Sequence, residues 1–215
     1  SYALSSFVGM NGSGLFLGSG VSDNDNWKDS FGPQGGDRRH RLVAAVTFNL
    51  PWDFQVSAIS EMISRGAGSL GGGNYDYNGD GTRGDRLPFI KNNQVNRTIH
   101  EKDVPQLVER FNSQYAGTRD AQGATIRSIP ALPAPYWLGD AMYSQDLRVT
   151  KIFRIGERLR LHAVGEVFNL FNIANLGGFS GDLYSARFGQ PTSRMANIFG
   201  TGGPRAFQLA TRFSF

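Results

Sequence analysis

The densest group of side chains able to do chemistry lies in Asp76-Tyr77-Asn78-Gly79-Asp80-Gly81-Thr82-Arg83-Gly84-Asp85. Asp76, Asn78 and Asp80 place side-chain oxygens at alternate positions, and Gly81 follows where the chain must bend sharply. Calcium, a hard cation, takes oxygen ligands at positions 1, 3 and 5 of such a loop and a backbone carbonyl at 7. Thr82 would supply that carbonyl. Position twelve is Leu87 instead of Glu, so Asp85, at position ten, would have to close the shell. The competing reading is a polar turn built from Asx and Gly residues.

Other chemistry finds little support, and the expectation is that the chain is not an enzyme. His162 and Glu166 are four residues apart, which brings two metal ligands together on a helix but leaves them about 13 Å apart on a strand. Gly178-Phe179-Ser180-Gly181 lacks the spacing of a nucleophile elbow, and neither a P-loop nor a dinucleotide fingerprint occurs. Three His and no Cys leave little for a zinc site and nothing for a disulfide. Seven aromatics fall between the periodic segments: Trp27, Phe31, Tyr75, Tyr77, Phe89, Tyr136 and Trp137. Amphipathic rings on loops suit ligand capture. Tyr136 and Trp137 serve equally as an interfacial girdle at the top of a strand.

The elements that must carry these groups follow a period of two. Leu42, Ala44, Val46, Phe48 and Leu50 alternate with residues that drift to Thr47 and Asn49, and Phe54, Val56 and Ala58 alternate with Gln55 and Ser57. Only Pro51-Trp52-Asp53 separates the two runs, which makes a tight hairpin. A second hairpin turns at Gly156-Glu157. One of its faces collects Leu147, Val149, Phe153, Ile155, Leu159, Leu161, Ala163 and Val167. The other collects Asp146, Arg148, Thr150, Arg154, Arg158, Arg160, His162 and Glu166. The last segment alternates to its end, and Ser1 to Met10 reads as a less regular strand. Lys151 breaks the pattern on the apolar face. It either snorkels toward a headgroup layer or is re-aimed by a bulge.

Strands of about ten residues, apolar on one face and charged on the other, fit a soluble sandwich or an outer-membrane barrel. Connection lengths favour the barrel. The turns at 51–53 and 156–157 are very short, whereas the other connections, 11–39, 66–138 and 173–203, are long. In a barrel Arg148, Arg154, Arg160, His162, Glu166 and Arg212 line the lumen. No apolar run is long enough for a spanning helix, and the chain opens without a basic start and an apolar h-region. The pI near 9.6 comes from 18 scattered Arg against four Lys, which suits paired charges in a wall better than nucleic-acid binding. One helix is expected in the long loop. Asp103 is its N-cap, Gln106 gives the capping-box spacing, and Val104, Leu107, Val108 and Phe111 share a stripe.

Four stretches give the chain a family likeness. They are Asp37-Arg38-Arg39-His40-Arg41-Leu42-Val43 with Leu50-Pro51-Trp52, the Asp76 to Arg86 segment, Glu166-Val167-Phe168-Asn169-Leu170-Phe171-Asn172, and Gly203 to Phe215. In this order they resemble the C-terminal part of a TonB-dependent outer-membrane receptor of the Oar-like group, which carries a carboxypeptidase-regulatory-like domain. The likeness implies an all-β fold, an antiparallel transmembrane β-barrel fragment in the outer membrane of a Gram-negative bacterium. The expected strands are 1–10, 40–50, 54–65, 143–155, 157–171 and 204–215, with short turns in the periplasm and long loops outside. Phe207, Leu209, Phe213 and the terminal Phe215 would form the strand that the barrel-assembly machinery pairs with; Thr211 departs mildly from that pattern.

About six strands cannot close a receptor barrel of about 22 strands. The plug domain and energy-coupling box are not in this stretch. The chain is therefore expected to be a fragment, or to need other chains to cover its two edges. The partners implied are outer-membrane lipid, the assembly machinery, an extracellular ligand, and the TonB complex acting through a plug. The function implied is ligand binding by loops and energy-coupled uptake through the lumen. The alternative is a non-transporting adhesin or scaffold on the same barrel.

Overall fold

A computed structural model describes residues 1–10, 23–195 and 202–215, with the side chain of Trp27 outside the description. In chain order the strands are β1 (Tyr2–Leu4), β2 (Val8–Met10), β3 (Phe31–Pro33), β4 (His40–Leu50), β5 (Phe54–Ile63), β6 (Met142–Ile155), β7 (Leu159–Phe168), β8 (Leu176–Gly177), β9 (Ser193–Arg194) and β10 (Ala206–Ser214). A helix, α1 (Val104–Tyr115), lies between β5 and β6. Six strands form one antiparallel sheet in the order β1-β4-β5-β6-β7-β10, and β2-β3 and β8-β9 are separate two-stranded pieces. No helix among the described residues is long and apolar enough to cross a membrane, so any crossing is made by strands.

Register turns the sequence alternation into two faces. The pairs Leu42↔Met62, Val46↔Ala58, Phe48↔Val56, Val56↔Val149, Leu147↔Val167, Phe153↔Leu161 and Phe207↔Val167 put the apolar residues on one side. Because side chains alternate strictly along a strand, every intervening residue is committed to the other side. The apolar face is bare: Phe48, Leu50, Phe207, Leu209 and Phe213 are all exposed. So large an apolar surface needs a non-aqueous neighbour, and lipid supplies it.

Lys151 stays in this register, opposite Phe54 and Ala163, so no bulge re-aims it. Its ammonium reaches the Trp52 carbonyl in the tight turn and lies over the Phe54 ring at 4.7 Å from the centroid. The side chain snorkels along the wall toward the strand end.

The 1–10 segment is not a single strand. β1 joins the large sheet, whereas β2 leaves it to pair with β3. The break falls where side chains take over the hydrogen bonding. Ser5 Oγ donates to the Arg38 carbonyl, and the Phe7 N–H donates to the Asp37 carboxylate at 2.9 Å.

The buried core lies in the long connections, not in the sheet. Leu70, Leu87, Val95, Ile99, Val104, Phe111, Ile126, Ile129, Leu138, Leu183 and Phe188 form one cluster between β5 and β6 and in the connection after β8. These connections make a folded cap with its own apolar interior. α1 buries Val104 and Phe111 there, and Leu107 and Val108 pack against the cluster. Its start differs from the expected cap. Asp103 makes no side-chain N-cap bond to α1; its carboxylate accepts the His100 N–H at 2.9 Å, closing a capping box one turn earlier. The Pro105 ring at the helix start lacks the N–H such a cap would serve.

Candidate functional site: the charged wall and the loop cap

The sheet face opposite the apolar one holds all six residues read as lumen-lining. Arg148 stands directly across from Glu166, Arg154 from Arg160, and His162 from Arg212. The Arg148 guanidinium approaches the Glu166 carboxylate at 3.4 Å, and Arg154 pairs with Asp53 of the tight turn. Further along, Arg41 pairs with Glu61 at 2.7 Å, and Thr47 and Ser57 hydroxyls meet at 3.0 Å. Arg160, His162 and Arg212 are gathered near the short-turn end with no ion pair to an acid among the described residues. This end of the wall is cationic. The face is not uniformly polar, since Val43, Ala45, Ile59 and Ile152 also point to it and Ile59 is 47% exposed.

On β10, Phe207, Leu209 and Phe213 share the apolar face with Val167, Gly165 and Leu161, and Thr211 fills the place between them opposite Ala163. Phe215 follows the strand and is fully exposed.

The Asp76–Asp85 loop folds as a chain of Asx turns. Asp76, 1% exposed, accepts the Gly79 N–H at 2.7 Å on one oxygen and the Gly81 N–H at 3.1 Å on the other, which also takes the Gln122 amide. Asn78 accepts the Asp80 N–H. Asp80 accepts the Thr82 hydroxyl and N–H and the Asn24 N–H, and these bonds hold its pKa below the usual value of 3.8. Asp85 turns under the loop to accept the Tyr77 N–H at 2.8 Å. Burial, reinforced by Asp80 and Asp76, pushes the Asp85 pKa up. No three His, Asp or Glu side chains among the described residues converge as a metal shell. The 1-3-5 spacing of oxygen-bearing side chains is present, and the Asp85 carboxylate is turned to the loop's own backbone. Those are the bonds of a polar turn.

Most of the loop aromatics are structural, which corrects their reading as a ligand surface. Tyr75 is buried. Tyr77 packs edge-on to Phe111 with centroids 5.7 Å apart, and Phe89 carries the Arg110 guanidinium at 4.3 Å. Tyr136 packs against Phe188 with the rings tilted by 53° and donates to the Glu101 carbonyl. Phe31 and Trp137 remain exposed, and the Trp27 side chain lies outside the described residues.

Two sets of residues tie the cap to the strands, and sequence reasoning assigned neither a role. Asp37, 1% exposed, accepts the Phe7 N–H and the Arg97 guanidinium at 2.8 Å, and Arg97 donates back to the Asp37 carbonyl. Burial alone would raise the Asp37 pKa; the Phe7 and Arg97 hydrogen bonds and the charges of Arg97 and Arg39 hold it low. At the other side, Asn169 and Asn175 are fully buried. Asn169 exchanges bonds with the backbone of Ile173 and donates to the Gly203 carbonyl. Asn175 accepts the Tyr143 N–H and donates to the Tyr143 and Gly202 carbonyls. The available signal was the spacing Asn169, Asn172, Asn175: each adopts a positive φ, between 46° and 54°, which Asn tolerates better than other side-chain-bearing residues.

The geometry is that of a lipid-facing sheet whose long connections are built into a cap. No curated protein and no solved structure matches the chain. The family model of an outer membrane beta barrel domain matches residues 1–208. The chain thus belongs to the outer membrane β-barrel domain family, and its place is the outer membrane of a Gram-negative bacterium.

Proposed function

We propose that this chain is the C-terminal barrel segment of a TonB-dependent receptor, binding an extracellular ligand on its cap and passing it along the charged wall. The observation that carries the reading is the cap itself. Residues from three of the four family-like stretches hold its base: Asp37 accepts Arg97 of the cap, Asn169 donates to Gly203, and Asn172 accepts the Arg205 N–H. A receptor gains from a preorganised outer surface, because ordering a loose loop on binding lowers affinity. The exposed Ile59 on the inner face supports the same reading, since an apolar side chain in a lumen calls for a covering domain. A plug would be that domain, and the barrel-assembly machinery would read the β10 edge.

The test is the coding sequence upstream of Ser1. A plug domain with an energy-coupling box in the same reading frame supports the receptor. A start codon just before Ser1 refutes it.

A further inference from the structure

Two concavities meet where β4 and β5 run into the cap. The upper one, about 290 Å³, is lined by Arg39, His40, Arg65 and His100, with Arg97 at its back. The lower one, about 190 Å³, is lined by Leu42, Met62 and Tyr143. They share His40 and Ser64. Their arrangement follows from register. His40 and Leu42 are alternate residues of β4, and Tyr143 stands opposite Met62, so all four lie on the apolar, lipid-facing side. His40 is fixed there by the Tyr2 hydroxyl, 2.7 Å from its Nδ1. The basic pocket adjoins the apolar groove through His40 and Ser64, so its edge sits one strand step, roughly 7 Å, above that groove on the lipid-facing side.

The charges are unequally committed. Arg97 is spent on Asp37. Arg65 touches Glu101 at 2.7 Å but keeps 41% of its side chain exposed. Arg39 is 51% exposed and reaches Asp37 only at 3.9 Å. Three guanidinium groups therefore face two carboxylates, with two imidazoles beside them. The site needs no strand outside the chain, because β4 and β5 are each paired on both sides.

We propose that these concavities seat one phosphorylated lipid of the outer leaflet. Its phosphate lies between Arg39 and Arg65, and an acyl chain lies in the Leu42–Met62–Tyr143 groove. The charge fits an anionic headgroup. The level fits too: basic side chains just beyond the apolar band meet headgroups, while the groove beneath lies in hydrocarbon. The inference is independent of whether the barrel transports anything.

The experiment uses the full-length barrel, purified in detergent, stripped of lipid and titrated with an acylated glucosamine disaccharide bisphosphate under native mass spectrometry. Folding of each variant is checked by the heat-dependent shift in gel mobility. Arg39→Gln should weaken binding roughly fivefold, and Arg39→Gln with Arg65→Gln more than tenfold. Removing the phosphates should weaken binding to the parent by a similar factor and cause no further loss in the double variant. Leu42→Ser should weaken it several-fold, and millimolar inorganic phosphate should fail to displace the lipid. Equal binding by parent and double variant, or equal binding with and without phosphates, overturns the proposal. Full displacement by inorganic phosphate overturns it as well, leaving only an anion site.

Discussion

Asp37→Ala is the sharpest probe of how the cap is held. Asp37 and Arg97 are 1% and 6% exposed, and their 2.8 Å contact is joined by the Phe7 N–H. Removing one partner of a buried pair leaves the other charge without compensation, a cost of about 3 kcal/mol. That corresponds to roughly a hundredfold shift in a local opening equilibrium. The loss should fall on the segments Asp37 touches, not on the sheet. Hydrogen exchange of amides at Phe7 and around 94–99 should therefore accelerate about a hundredfold, while amides inside β5, β6 and β7 keep their rates. Arg97→Ala should act similarly, and the double variant should cost less than the two singles together, because neither charge is then stranded. Arg39→Ala should change exchange little, since that contact is long and half exposed. The pH dependence has a definite sign. A carboxylate whose folded pKa is depressed contributes its stabilisation above its unfolded pKa and loses it as pH falls through the folded one. The Asp37 contribution should thus be complete at pH 5 to 7 and fade only below about 3.8. An increase under about fivefold in Asp37→Ala, or one spread evenly over the strands, would refute the reasoning.

Other perturbations test other parts. Asn169→Ala strands the buried Gly203 and Ile173 backbone groups and places Ala at φ 48°, so β10 should loosen by about 2–4 kcal/mol, read as faster exchange along 206–214. Unchanged exchange there would argue against the amide clamp. Gly189→Ala puts a methyl group about 2.8 Å from the Trp137 nitrogen at φ 66°, and should open the 136–138 and 180–190 segments to protease. Calcium should leave protease protection of the 76–85 loop unchanged, because Asp85 and both Asp76 oxygens already serve backbone donors. A calcium-dependent protection abolished by Asp80→Ala would overturn that view.

What the sequence revealed depended on whether the signal was local. The hairpin from Leu147 to Val167 was legible because alternation over two long strands leaves one register in which both apolar sets face the same way, and Gly156 supplies the turn at φ 65°. The helix was legible too, since Val104 and Phe111 sit at helical spacing. The break after Leu4 was not, because it depends on Asp37, remote in sequence, taking the Phe7 N–H. The cap interior was hidden for a similar reason. Leu70, Leu87, Val95, Ile126, Leu183 and Phe188 are scattered singly among Gly, Asn and Asp, with no period to mark a buried face. Rings such as Tyr75 and Tyr136 therefore read as surface aromatics when they fill that interior. Lys151 shows the limit within a regular strand: alternation placed it correctly, but its reach to the Trp52 carbonyl depends on the neighbouring turn.

The central claim is that one face of this sheet meets lipid and the other a lumen, and β7 tests it most directly because it is paired on both sides. The chain contains no Cys, so single spin-labelled cysteines can be placed at each position from 160 to 167 in the full-length barrel, with any cysteine outside this stretch replaced, and reconstituted into lipid vesicles. Accessibility to dissolved oxygen should peak at 161, 163, 165 and 167. Accessibility to a water-soluble nickel chelate should peak at 160, 162, 164 and 166. Absence of the two-residue alternation, or the opposite phase, would contradict the account.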